Sequence, residues 1–155
     1  MGNLGKCVFP MGTYIYLGSA FGSGGIKGRL GRHLSKEITR PFWHIDYLRT
    51  SADVSGYIYF PSNDRTFPEN SQKFTPMECL WSQTLESLPY TSTPIFKFGA
   101  SDCRSGCKAH LIAITQAQKG DFDPEFQVHL QIIQVLSEVL KVSPDEMDFI
   151  PHQSI

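Results

Sequence analysis

Hydrophobic and polar positions alternate at the start of the chain. Tyr14 and Tyr16 fall on one face of a run of β-formers, Ile15 and Leu17 on the other, which predicts a short strand over residues 12–17. The glycine-rich stretch 18–25 that follows is too flexible to be helical. Ile26, Leu30 and Leu34 then recur at i, i+4 and i+8, predicting an amphipathic helix over about 26–38 that Thr39-Arg40-Pro41 ends. Residues 42–48 read as a short helix or turn with Trp43, Tyr47 and Leu48 available to the core. Residues 54–60, rich in β-branched and aromatic side chains, read as a second strand, and 61–75 as a polar loop.

Thr75-Pro76-Met77-Glu78 has the form of a helix start, with Thr75 as cap, proline at the first position and Glu78 closing a capping box. That helix should run to about Leu88 and bury Leu80, Trp81, Thr84, Leu85 and Leu88. Short strands are expected at 95–98 and 111–115, flanking a cysteine-bearing loop. Asp123-Pro124-Glu125 opens a last long helix. Its two apolar rows, Phe126, Leu130 and Ile133 beside Val128, Ile132, Val135 and Val139, suggest burial on more than one side. Ser143-Pro144-Asp145-Glu146 is a second capping box. The fold class implied is α/β in the α+β sense: a small, mainly antiparallel sheet flanked by helices, with a C-terminal helical extension.

At 155 residues the chain suits one compact domain. It shows neither a membrane-length apolar run nor a signal-peptide core, so a soluble, cytoplasmic protein is expected, with no membrane partner. In that reducing setting Cys7, Cys79, Cys103 and Cys107 read as thiols or metal ligands rather than disulfides. The net charge of -1 conceals an asymmetry. Residues 1–50 carry seven Lys/Arg against two acids, the remainder seven against thirteen. A basic lobe beside an acidic remainder is what a polyanion-binding face would need.

Chemistry gathers in that lobe. Arg29 and His33 lie one helical turn apart beside the tyrosine strand, and a guanidinium fork with an imidazole makes a clamp for a phosphodiester. Packing accounts for Tyr14 and Tyr16 as well, and helix capping accounts for Glu78. A second constellation is Cys103-Arg-Ser-Gly-Cys107-Lys-Ala-His110, whose spacing is near that of a zinc site. His44 is a candidate fourth ligand. A polar shell that includes Asp46 and Asp102 is the rival reading, and a pair of inert buried thiols the bland one.

The order of motifs resembles the GIY-YIG nuclease superfamily: Tyr16-Leu17-Gly18, then Arg29 and His33, then Glu78. A closer resemblance is to an uncharacterised branch sometimes fused to a base-excision-repair endonuclease. It is carried by residues 16–20, Gly24-Gly25, Arg32-His33, His44-Ile-Asp46-Tyr-Leu48, Glu78-Cys79-Leu-Trp81 and Gly99-Ala-Ser-Asp102-Cys103 with His110-Leu111. The resemblance covers about residues 12–112.

It implies a divalent-metal-dependent endonuclease acting on DNA. Tyr16, with Tyr14 as a further phenol, would contact the attacking water, His33 would assist, Arg29 would hold the phosphate, and Glu78 would hold one Mg²⁺ or Mn²⁺, favoured here over Zn²⁺. Lys27, Arg32 and Lys36 would add nucleic-acid contacts. The superfamily's earlier Gly-x-Tyr strand and its late asparagine have no evident match, so residues 1–118 are expected to form a domain lacking its first strand, with 119–155 as an extension packed on or beside it. A homodimer through the last helix or the exposed sheet edge would fit. The alternatives are a catalytically impaired nucleic-acid-binding module and a zinc-stabilised interaction protein.

Overall fold

The computed structural model describes residues 4–35, 37–38, 40–61, 66–67, 75–115 and 124–152. Lys36 and Asp123 lie outside them. The fold is α+β. Strand β1 (Tyr14–Tyr16) pairs antiparallel with β6 (Leu111–Ile114), and the far edge of β6 pairs with β5 (Thr91–Ser92), giving the order β1-β6-β5. Two further antiparallel ribbons join β2 (Gly56–Tyr59) to β7 (Asp148–Pro151) and β3 (Thr66–Phe67) to β4 (Thr75–Pro76). The helices are α1 (Gly25–Leu34), α2 (His44–Leu48), α3 (Met77–Glu86) and α4 (Pro124–Leu140), with a 3-10 turn at Pro144–Glu146.

The alternation in β1 divides the core. Ile15 and Leu17 join Met77, Leu85, Ile112, Ile132, Ile133, Leu136, Leu140 and Met147 in the larger cluster, between the sheet and helices α3 and α4. Tyr14 and Tyr16 face the other way, against Ile45, Leu48, Phe98, Ala109 and Leu111. Each buried Leu, Ile or Phe stabilises by about 1.5–3 kcal/mol, so both faces are firmly specified. A register slip of one residue would exchange tyrosine for isoleucine on both.

Several elements differ from their sequence readings. Helix α1 stops at Leu34, where Ser35 turns to extended backbone. The expected capping box of α3 does not form: Pro76 is the cap residue, with no side-chain hydrogen bond, Thr75 belongs to β4, and Glu78 reaches elsewhere. The fully buried face of α3 is Met77, Cys79, Ser82 and Leu85, because the cysteine-bearing loop covers one side while α4 covers another. Residues 95–98 form turns rather than a strand. Lys97 holds a φ of 63° and Gly99 one of 69°, left-handed conformations that a strand cannot contain.

The C-terminal segment is built into the fold. Helix α4 supplies Ile132, Ile133, Leu136 and Leu140 to the larger cluster, while Leu130 is exposed. The second capping box forms as read, the Ser143 N–H donating to Glu146 Oε1 at 2.9 Å, and leads into β7, which sequence reading did not anticipate. No helix among the described residues is long and apolar enough to cross a membrane.

Candidate functional site

Four of the sequence candidates converge where β1 leaves the sheet. Gly18 follows the strand, and a Cβ placed on it would overlap the Arg29 guanidinium. Glycine is therefore required for Arg29 to lie flat against this backbone. One residue on, the Ser19 N–H donates to Glu78 Oε2, joining the strand exit to the first turn of α3. His33, one turn after Arg29, sets its ring edge-on to Tyr16 with centroids 5.8 Å apart. Gly99 closes over the phenol, since a Cβ there would lie 2.8 Å from Tyr16 Cε2 and 3.2 Å from His110 Cβ.

Burial raises the Tyr16 pKa above its ordinary value. The Arg29 charge and hydrogen bonding oppose that shift, and the Glu78 carboxylate adds to it. Tyr16 is thus a neutral phenol at pH 7. His33 is pushed down to about 4, first by burial and then by Arg29, and is a neutral imidazole. Among the described residues, neither of its buried ring nitrogens has a hydrogen-bond partner.

The other basic and aromatic candidates have different engagements. Tyr14 donates its hydroxyl to the Pro10 carbonyl and packs edge-on against Phe9, away from Arg29. Arg32 pairs with Asp46 at 2.6 Å. The same Asp46 oxygen accepts the Phe42 and Trp43 N–H groups at 2.9 and 3.0 Å, capping α2. Burial raises the Asp46 pKa, but these hydrogen bonds outweigh it and hold the carboxyl below its usual range. Asp46 is therefore an anchor for Arg32 and α2, not part of the cysteine constellation. Lys27 is exposed on α1.

The cysteine run closes into a cluster with a different fourth member. Cys79, Cys103, Cys107 and His110 bring their ligand atoms within 4.8 Å of one another. Cys79 Sγ lies 3.5 Å from Cys103 Sγ and 3.7 Å from His110 Nε2. Tetrahedral zinc with Zn–S bonds of about 2.3 Å spaces its sulfurs by about 3.8 Å, close to these separations. His44 is not in the cluster: its Nδ1 accepts the Gly99 N–H at 3.0 Å. Asp102 is exposed beside the cluster.

Burial raises the Cys79 and Cys107 thiols. At Cys103 burial acts in the same direction, but hydrogen bonds from the Cys107 and Ser105 backbone prevail and lower it. His110 is lowered by burial. Three thiols and an imidazole are a donor set that could hold a metal ion, and it suits zinc rather than the oxygen-seeking Mg²⁺ or Mn²⁺ that sequence reading favoured.

Cluster and clamp share a scaffold. Cys79 follows Glu78 on α3, and Ser82 on the same helix donates to the Ala109 carbonyl at 2.5 Å. The His110 carbonyl accepts the Leu17 N–H at 2.9 Å. The segment running from Phe98 to His110 therefore ties together the phenol, the glutamate and the thiols. A family model described as a domain of unknown function, DUF123, matches residues 1–130. The chain belongs to the DUF123 family. No curated protein and no solved structure matches it. In this DUF123 domain Cys79 takes the fourth position for which sequence reading named His44. Its signal was its place beside Glu78, within a run already singled out.

Proposed function

We propose that this DUF123 domain is a divalent-metal-dependent endonuclease of GIY-YIG type that hydrolyses phosphodiester bonds in DNA. The observation that carries the reading is the convergence of Tyr16, Arg29, His33 and Glu78 from β1, α1 and α3 onto the backbone at Gly18 and Ser19. Cleavage requires a positioned water, neutralisation of the phosphate and help for the leaving oxygen.

Arg29 grips the non-bridging oxygens with its planar fork. Tyr16, held protonated, orients the water by hydrogen bonding, and the neutral His33 accepts the water's proton. The water oxygen forms the new P–O bond, the bond to the leaving strand breaks, the departing oxygen takes up a proton from solvent, and His33 gives up to solvent the proton it accepted. Glu78 would hold the magnesium ion as a single carboxylate, a form of site that waters and substrate phosphate complete. A cation bound there would supply Lewis-acid stabilisation of the charge developing on phosphate.

The Cys79, Cys103, Cys107 and His110 cluster is assigned a structural zinc. All four positions are filled by protein, the closed form typical of structural rather than catalytic zinc. It would fix α3, and with it Glu78, against the loop covering Tyr16.

The test is a cleavage assay on single-stranded, duplex and branched DNA with Mg²⁺ or Mn²⁺, comparing the wild type with Arg29→Ala and Glu78→Gln. Metal-dependent cleavage that both substitutions abolish is expected. Cleavage that survives both would sink the site assignment, and salt-sensitive binding without cleavage would favour a binding module that lacks turnover.

A further inference from the structure

Two aromatic side chains beside the clamp are not accounted for by the core. Phe42 is 74% exposed and Trp43 45%. The two rings meet edge-to-face with centroids 5.2 Å apart. Their backbone is rigid, because both N–H groups are bound to the Asp46 carboxylate, which also anchors Arg32. Exposing two large aromatic surfaces at the fixed start of a helix forfeits burial that a folded core would provide.

Their position suggests why. The Arg29 guanidinium lies over the Trp43 ring, 6.0 Å from its centroid, a cation–π arrangement that leaves the arginine shared between Gly18 and the indole. A phosphate held by Arg29 would carry its own nucleotide, and the next aromatic surface along the chain would be Trp43. Proteins that hold single strands pair a basic track with aromatic platforms, since every base offers a π-face. Arg29 and the exposed Arg40 supply the charge around this platform, while Arg32 is held by Asp46.

We propose that Trp43, backed by Phe42, is a stacking platform for an unpaired nucleobase next to the phosphate that Arg29 holds, so that the site takes single-stranded or locally opened nucleic acid. The proposal rests on the phosphodiester reading above and narrows its substrate. A base within a duplex is stacked on both faces and would have to leave the helix before reaching the indole. Trp43 is a binding residue here, distinct from the groups that act on the water.

Binding without turnover tests it, using fluorescence anisotropy of three labelled probes: a short oligothymidylate, an abasic sugar–phosphate chain of equal length and charge, and a duplex. The wild type should bind the oligothymidylate about five- to 150-fold more tightly than the abasic chain, the range that one aromatic–base stack accounts for. Trp43→Ala should remove that difference, bringing oligothymidylate binding down to the level of the abasic chain. Trp43→Phe should keep most of it, and Phe42→Ala should weaken it by a smaller factor. Trp43 fluorescence should quench on oligothymidylate and not on the abasic chain.

If Trp43→Ala binds oligothymidylate as the wild type does, or if duplex is preferred whatever stands at 43, the platform is overturned while the phosphodiester reading survives. If none of the probes binds, both fall.

Discussion

The Ser19 N–H donates to the Glu78 carboxylate across 59 positions of sequence, fastening the loop after β1 to the first turn of α3. Through this contact Glu78 is both a candidate metal ligand and a structural acceptor, and two substitutions separate the roles. Glu78→Gln keeps an oxygen that can accept from Ser19 and should leave thermal stability nearly unchanged while abolishing metal-dependent cleavage. Glu78→Ala strands the Ser19 N–H and should cost about 1–2 kcal/mol as well. Melting temperatures beside cleavage rates for the two variants make the check. Equal destabilisation by both would show that charge, rather than the acceptor, holds the loop.

Arg29 depends on the smallness of Gly18. In Gly18→Ala the new methyl overlaps the end of the guanidinium, which is flexible enough to move away. Stability should therefore change by no more than about 0.5 kcal/mol, while cleavage falls tenfold or more as the phosphate grip is displaced. Gly99→Ala should behave differently. There the left-handed φ of 69° adds a strain of about 1–3 kcal/mol, and the methyl presses on the Tyr16 ring, so stability and activity should fall together. Urea denaturation of both variants distinguishes the cases.

Much of this site was legible in the sequence because its parts lie close along the chain or follow simple periods. Tyr16 and Arg29 sit on a period-two strand and the helix after it, and Cys103, Cys107 and His110 occur within eight consecutive residues. Cys79 was less legible, since the apolar stripe assigned to α3 ran through Leu80, Trp81 and Leu85 and left it off the buried face. Only folding shows α3 covered from two directions. The terminal strand β7 was hidden for another reason: Asp148 to Pro151 is short, ends in proline and pairs with β2 about ninety residues earlier, as Tyr57 with Ile150 shows. A local pattern cannot report such a partner. The 95–98 stretch looked like a strand from its apolar content, and the positive φ at Lys97 overrode that propensity.

Zinc content distinguishes the four cysteines. Purified protein should carry one zinc per chain, and Cys79→Ser or Cys103→Ser should lose it and lower the melting temperature. Cys7→Ser should change neither, because Cys7 stands apart from the cluster. A chelator should reproduce the loss in the wild type and leave Cys79→Ser unaffected. Because the thiols must give up protons to bind, zinc affinity should also weaken as pH falls. Metal analysis with thermal melts checks each statement. Full stability in metal-free protein would remove zinc from the account.

The His33 imidazole should make stability depend on pH in a defined window. Its folded pKa of about 4 lies below the ordinary 6.5, so the unfolded chain takes up a proton where the folded chain resists it. Stability then rises with pH while the unfolded state binds more protons. The His33 contribution is complete above pH 6.5, declines as pH falls toward 4, and is flat below. After allowance for solvent screening at a partly exposed group, the change should be about 1–2 kcal/mol. His44 and His110, also lowered by burial, act with the same sign. The depressed Asp46 carboxyl loses its stabilisation only as pH falls below its ordinary 3.8, outside this window. Urea unfolding of the wild type and His33→Phe from pH 7.5 to 4 isolates the term, since the wild type should lose that much more stability than the variant as acid is added. A constant difference would mean that His33 takes its proton as readily in the fold as out of it, and its place as a neutral acceptor beside Tyr16 would be lost.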